Sequence, residues 1–141
     1  MGEHELYKII AQYLQVQYPD VIYRFDLAAD LKLTAGQAVK HKMLHPNRGY
    51  PDLFIAEPKI RQYRDSEGMI KLTQTKFYSG LYIELKKEGT RLKKKNGEWA
   101  SDHIKEQAEM LERLEFRGYK AVFCCGFDET KQVLDNYLKG M

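Results

Sequence analysis

The chain has 141 residues, 43% of them hydrophobic and 30% charged, with a net charge of +3. That is enough for one core without disulfides or a structural metal, and no apolar run approaches the ~20 residues of a membrane-spanning helix. A charge this small names no partner, and the two cysteines, adjacent at Cys124 and Cys125, make no disulfide scaffold and fit a reduced, intracellular protein.

The opening MGEHELYKII has no basic stretch leading into an apolar run and a small-residue cleavage site, so no secretory signal is expected. Residues 3–18 read as a helix, with Leu6, Tyr7, Ile10, Tyr13 and Leu14 at helical spacing and Pro19 ending it. Glu3 lies three residues before Leu6 and seven before Ile10, in phase with the buried side. The run VIYRF (21–25) reads as a strand. Thr34 is placed to cap a short polar helix reaching about His45, and PNRGYP then breaks the chain. His41 and His45 are four apart on that helix. With no Cys or further His close in sequence to complete a zinc site, they read as surface residues.

DLFIA (52–56) reads as a second strand, opened by Asp52 directly after a glycine and a proline. Residues 62–75 read as a hairpin around an Asp-Ser-Glu-Gly turn, an excursion from the main sheet. LYIELK (81–86) is the next strand. Alternation sends Tyr82, Glu84 and Lys86 to one face and Leu81, Ile83 and Leu85 to the other. By itself that pattern fits a strand with one face in water. If strands 52–56 and 81–86 are neighbours, about 5 Å apart, Asp52 and Glu84 can share one cation, since Mg²⁺ is commonly held by one or two carboxylates with water.

The stretch 87–100 is basic and loop-like. From Lys86 to Lys95 it holds six basic residues (Lys86, Lys87, Arg91, Lys93, Lys94, Lys95) against one acid, Glu88. Such a cluster attracts a polyanion or forms a solvated loop. Ser101 or Asp102 caps a helix running to Arg117, ended by Gly118. Its inner stripe is Ile104, Ala108, Leu111 and Leu114, and Gln107 falls within it, where an amide needs hydrogen-bond partners. YKAVFCC (119–125) is an apolar strand in which the cysteines pack, and 128–139 is a closing amphipathic helix. The order predicts an α/β sandwich around a central sheet. Glu3, Asp52, Glu84 and Gln107 then come inward from four separate elements.

RGYPDLFIAE, GLYIELKKEG and DHIKEQAEMLERLEFRGYKAVFCCGFDE resemble the VRR-NUC branch of the PD-(D/E)xK nuclease superfamily, in its small stand-alone phage and bacterial form. The resemblance runs from EHELYKIIAQYL to VLDNYL, nearly the whole chain. It implies a single nuclease domain over 1–141 with a restriction-endonuclease-like αβββαβ core: a central mixed sheet flanked by helices, with an inserted β-hairpin at about 58–78. The 32-residue spacing from Asp52 to Glu84 is what leaves room for that insertion. It also implies catalytic roles for Glu3, Asp52, Glu84, Lys86 and Gln107, with Glu5 as the fallback for Glu3. Asp52, Glu84 and the Leu85 carbonyl would hold Mg²⁺, with Mn²⁺ able to substitute. Lys87, Arg91, Lys93, Lys94 and Lys95 would hold DNA phosphates. The implied activity is metal-dependent hydrolysis of DNA, selective for branched structures such as Holliday junctions or flaps, by a cytoplasmic homodimer that works in repair or recombination without a membrane or an organic cofactor. The rival reading is a catalytically silent nucleic-acid-binding module that keeps the nuclease fold.

Overall fold

The computed structural model describes residues 1–26 and 32–139, and the backbone alone at 61–64 and 70–76. Its elements run α1 (Glu3–Gln17), β1 (Tyr23–Phe25), α2 (Ala35–Leu44), β2 (Leu53–Ile55), β3 (Lys59–Arg64), β4 (Ile70–Tyr78), β5 (Leu81–Lys86), α3 (Asp102–Phe116), β6 (Lys120–Cys125) and α4 (Phe127–Leu138). Four strands make the central sheet in the order β1-β2-β5-β6, and β3 and β4 pair only with each other. β1 with β2 and β2 with β5 are antiparallel, whereas β5 and β6 are parallel and joined through α3. Without α2 and the β3–β4 excursion, what remains is the expected αβββαβ core with a closing helix.

Strand alternation decides which layer each side chain enters. Leu53 and Ile55 of β2 and Leu81 and Ile83 of β5 are fully buried beneath Leu6, Ile10 and Leu14 of α1 and Leu134, Tyr137 and Leu138 of α4. Each such side chain contributes about 1.5–3 kcal/mol relative to exposure. Phe54, Tyr82, Ala121 and Phe123 project the other way and meet Leu111 and Leu114 of α3. The sheet is therefore covered on both faces. An exposed face for β5 is ruled out: Glu84 is 3% exposed.

α3 turns Ile104, Gln107, Met110 and Leu111 inward, whereas Ala108 and Leu114, expected in the stripe, are half-buried. The helix is rotated so that its amide meets the strand below. Ser101 caps it, its hydroxyl accepting from the Ile104 N–H at 3.1 Å. In α2 the cap is reciprocal: Thr34 Oγ1 accepts from the Gln37 N–H at 3.2 Å, and Gln37 Oε1 accepts from the Thr34 N–H at 2.9 Å.

The β3–β4 hairpin, from Lys59 to Tyr78, is longer than 62–75. Its turn is set by Asp65, whose Oδ1 accepts from the Glu67 and Met69 N–H groups at 2.9 Å each. Its base is held to α4 by the Tyr137 hydroxyl donating to the Glu57 carbonyl at 2.7 Å and by Lys59 Nζ donating to the Asn136 carbonyl at 2.7 Å.

Candidate active site

The pairing Leu53↔Ile83 continued by one residue sets Asp52 opposite Glu84, on the face they share with Phe54 and Tyr82. Both carboxylates are buried, Asp52 at 5% exposure. Asp52 Oδ2 accepts the Leu85 N–H at 2.8 Å, which ties the start of β2 to the end of β5. From α3, Gln107 Nε2 donates to Glu84 Oε1 at 2.7 Å. The loop before β2 reaches α3 because residue 49 is glycine. Its φ is +74°, and a Cβ there would lie 3.0 Å from the Glu106 carbonyl and 3.2 Å from Gln107 Cα.

Two oxygens at this junction, Glu84 Oε2 and Gln107 Oε1, are buried with no hydrogen-bond partner. While Glu84 is ionised neither can satisfy the other, since both are then acceptors, and leaving them so is costly. Burial, then the charge and hydrogen bond of Asp52, push the Glu84 carboxyl up to about 10; Lys86 opposes this and Glu3 adds to it. At neutral pH Glu84 therefore holds a proton against Asp52. A cation between the two carboxylates would displace that proton and give the Glu84 oxygen a partner.

Lys86 is half-buried at the end of β5, its carbonyl accepting the Gly126 N–H at 2.8 Å. Glu3 corrects one expectation. Although in phase with the core stripe, it is exposed, at the first position of α1. It nonetheless lines the same cleft as Asp52, Glu84, Leu85, Lys86 and Gln107, and Glu5 does not. The cleft has a volume of about 750 Å³. Lys87, Arg91, Lys93, Lys94 and Lys95 are all exposed and outside its lining. Their segment is more ordered than a plain loop. Lys93 bridges to Trp99, the Lys94 N–H donates to the Glu98 carbonyl at 2.8 Å, and Lys93 Nζ sits 4.7 Å from the Trp99 ring centre.

Two site residues escaped the sequence reading. Tyr7 of α1 hydrogen-bonds Asp52, and burial, followed by the charge of that carboxylate, raises its phenol well above the ordinary tyrosine range. Asp26 follows β1; the pairing Phe25↔Leu53 continues to set it opposite Asp52, and its N–H donates to the Asp52 carbonyl at 2.7 Å. His41 and His45 also line the cleft; His45 is exposed, as expected of a surface residue, whereas His41 is half-buried. Among the described residues, no three His, Cys, Asp or Glu side chains cluster as a metal-holding group.

No family model and no curated protein matches the sequence. A solved structure does: that of a VRR_NUC domain protein, 25% identical, with a TM-score of 0.61, covering 99% of this chain and 89% of that one. The fold is that of a VRR_NUC domain. At 99% coverage the VRR_NUC likeness takes in the elements that line the cleft as well as the β3–β4 excursion. It agrees in fold with the family resemblance carried by the Pro-Asp, Glu-Leu-Lys and Gln107 segments.

Proposed function

We propose that the chain is a metal-dependent DNA endonuclease that hydrolyses phosphodiester bonds and prefers branched DNA such as Holliday junctions or flaps. One observation carries the reading: two buried carboxylates meet across β2 and β5 on the cleft floor, with a lysine two residues on and a Glu84 oxygen that lacks a hydrogen-bond partner. That donor set fits a hard divalent ion, which takes oxygen ligands and keeps several waters. Asp52, Glu84 and the Leu85 carbonyl would hold Mg²⁺, or Mn²⁺ with its similar oxygen preference. Such an ion supplies a bound water of lowered pKa and positive charge at the phosphoryl oxygens.

The chain's own groups do the rest. Gln107 fixes the Glu84 carboxylate by its 2.7 Å hydrogen bond, and Tyr7 and the Leu85 N–H fix Asp52. Lys86 provides a cation beside the carboxylates, where charge accumulates on the phosphate. Glu3, at the cleft edge, accepts from water entering the site. Lys87, Arg91 and Lys93 to Lys95 hold phosphates away from the cut, and such contacts position DNA without reading its sequence. Selectivity then comes from DNA shape, and a two-fold pair of chains would match the two equivalent strands of a junction.

The test is incubation with linear, flapped and four-way DNA in Mg²⁺, in Mn²⁺ and in chelator. Cleavage that needs metal and is lost in Glu84→Gln and Lys86→Ala supports the enzyme. DNA binding without cutting under every condition supports a silent binding module instead, and an active Glu84→Gln variant refutes the site.

A further inference from the structure

Of the four described helices, α2 alone has no buried side chain. A ten-residue helix is marginal by itself in water, and packing normally stabilises it. Here Val39, Met43 and Leu44 are 62%, 77% and 65% exposed. What α2 does face is the cleft, through His41, Lys42 and His45, continued by Arg48 in the turn that follows. Within that wall the His41 and His45 ring centres are 4.4 Å apart, and His41 Nε2 is buried without a partner. Lys42 and Arg48 are exposed, and neither pairs with a described carboxylate.

The opposite requirement comes from the floor. Glu3 and Asp52 line the same space, joined by Glu84 once a cation displaces its proton, and a phosphodiester approaching them meets repulsion that one cation only partly offsets. The basic run Lys87 to Lys95 lies outside the lining, so it grips a flank of the DNA and leaves the cleft itself uncompensated. The groups within the cleft that can offset the floor are Lys42 and Arg48 on one wall and Lys86 at the end of β5.

We propose that α2 and the turn after it form a clamp for the nucleic-acid backbone, with Lys42 and Arg48 as its phosphate contacts and DNA as the partner that stabilises the helix. This rests on the nuclease reading and extends it. The strand is held at two places, the α2 wall and the basic segment after β5, so that the scissile phosphate is suspended over the carboxylates between them. The exposed helix is then a helix awaiting its substrate.

The experiment measures binding of a fluorescent four-way junction, as a function of salt, by the native chain in chelator and by Glu84→Gln in Mg²⁺. Each is compared with the same chain carrying Lys42→Ala and Arg48→Ala. A control pair, Lys8→Ala with Arg113→Ala, removes the same charge from exposed helix positions outside the cleft. The clamp predicts that the α2 pair lowers the slope of log K against log salt by about 2 and weakens binding roughly tenfold or more at 0.1 M salt, beyond the control. Junction DNA should also slow hydrogen exchange in residues 38–45. Equal affinity and slope in the α2 pair and the control would overturn the clamp alone. Protection of α2 that rises with protein concentration in the absence of DNA would overturn it too, by assigning the helix to self-association. If the native chain and Glu84→Gln bind no DNA in either buffer, the function itself falls.

Discussion

Replacing Glu84 by glutamine should stabilise the metal-free protein while abolishing its chemistry. The native carboxyl is moved from an ordinary 4.5 to about 10 by burial and then by Asp52. For an acid whose pKa is raised on folding, the stabilising contribution is complete below the unfolded value. It is lost as pH rises toward the folded one. From pH 4.5 to 7.5 the loss accrues at ~1.4 kcal/mol per pH unit, a ceiling of about 4 kcal/mol. Glu84 also lines an open cleft, where water reaching the deprotonated pair relieves part of this, so about 2 kcal/mol is the expected size. The glutamine has nothing to titrate and keeps an Oε1 for Gln107 Nε2. Urea unfolding in chelator should therefore show the two proteins nearly equal at pH 4.5, with the variant ahead by roughly 1 M in midpoint at pH 7.5. Mg²⁺ at ten times its dissociation constant should return about 1.4 kcal/mol to the native chain and far less to the variant. A variant less stable than native at pH 7.5, or a gap that does not change with pH, would refute the buried-carboxylate reasoning.

Gln107→Leu should reduce turnover some 10–100-fold, the usual cost of losing a group that orients a metal ligand, with little loss of DNA affinity; kcat measured against junction binding checks this. Gly49→Ala must place a Cβ 3.0 Å from the Glu106 carbonyl at φ +74°, so it should cost about 1–3 kcal/mol in a urea titration and cut turnover through the displaced Gln107. Asp135 sits at the far end of α1, where the Tyr13 and Tyr18 hydroxyls donate to it at 2.5 and 2.6 Å. Burial alone would raise its pKa, but those bonds and Lys131 bring it down to about 2 from 3.8. A lowered acid stabilises above its unfolded pKa and loses this as pH falls toward 2. Asp135→Asn should therefore cost about 1–2 kcal/mol at pH 7 after solvent screening, with the gap closing near pH 2 in acid unfolding followed by circular dichroism.

The parts of the site legible in the sequence were those that local rules place. Alternation in LYIELK put Glu84 and Lys86 on one face, and the glycine–proline approach marked Asp52 as the start of a strand. What alternation could not show is that α3, whose first residue lies 18 positions after Glu84, covers that face. Tyr7 read as one more core residue of α1, and only the junction of α1 with β2 makes its hydroxyl a partner of Asp52. No motif in the sequence singles out Asp26, and its place beside Asp52 depends on the register of β1 with β2. The lack of a Cys or further His near His41 and His45 says only that they form no zinc site, and α2 has no apolar stripe to show which side meets the cleft. Glu3 and Glu5, two apart on one helix, were separated only by the cleft itself.

These two sets of contacts lie at opposite ends of α1, and that arrangement explains how the fold tolerates its site. Tyr7, near the helix start, faces a carboxylate pair that folding brings together at a cost. Tyr13 and Tyr18, eleven residues on at the farther of the two, are some 16 Å along the helix at 1.5 Å per residue, where they hold Asp135 of α4 ionised and bonded. Between them Ile10 and Leu14 lock α1 onto the sheet. Substitutions at the Asp135 end should thus lower stability without moving kcat, and Glu84→Gln at the other end should lower kcat without lowering stability. A Tyr18→Phe variant that lost turnover while keeping its urea midpoint would break this division, because it would mean that the far end of α1 sets the position of Tyr7 against Asp52.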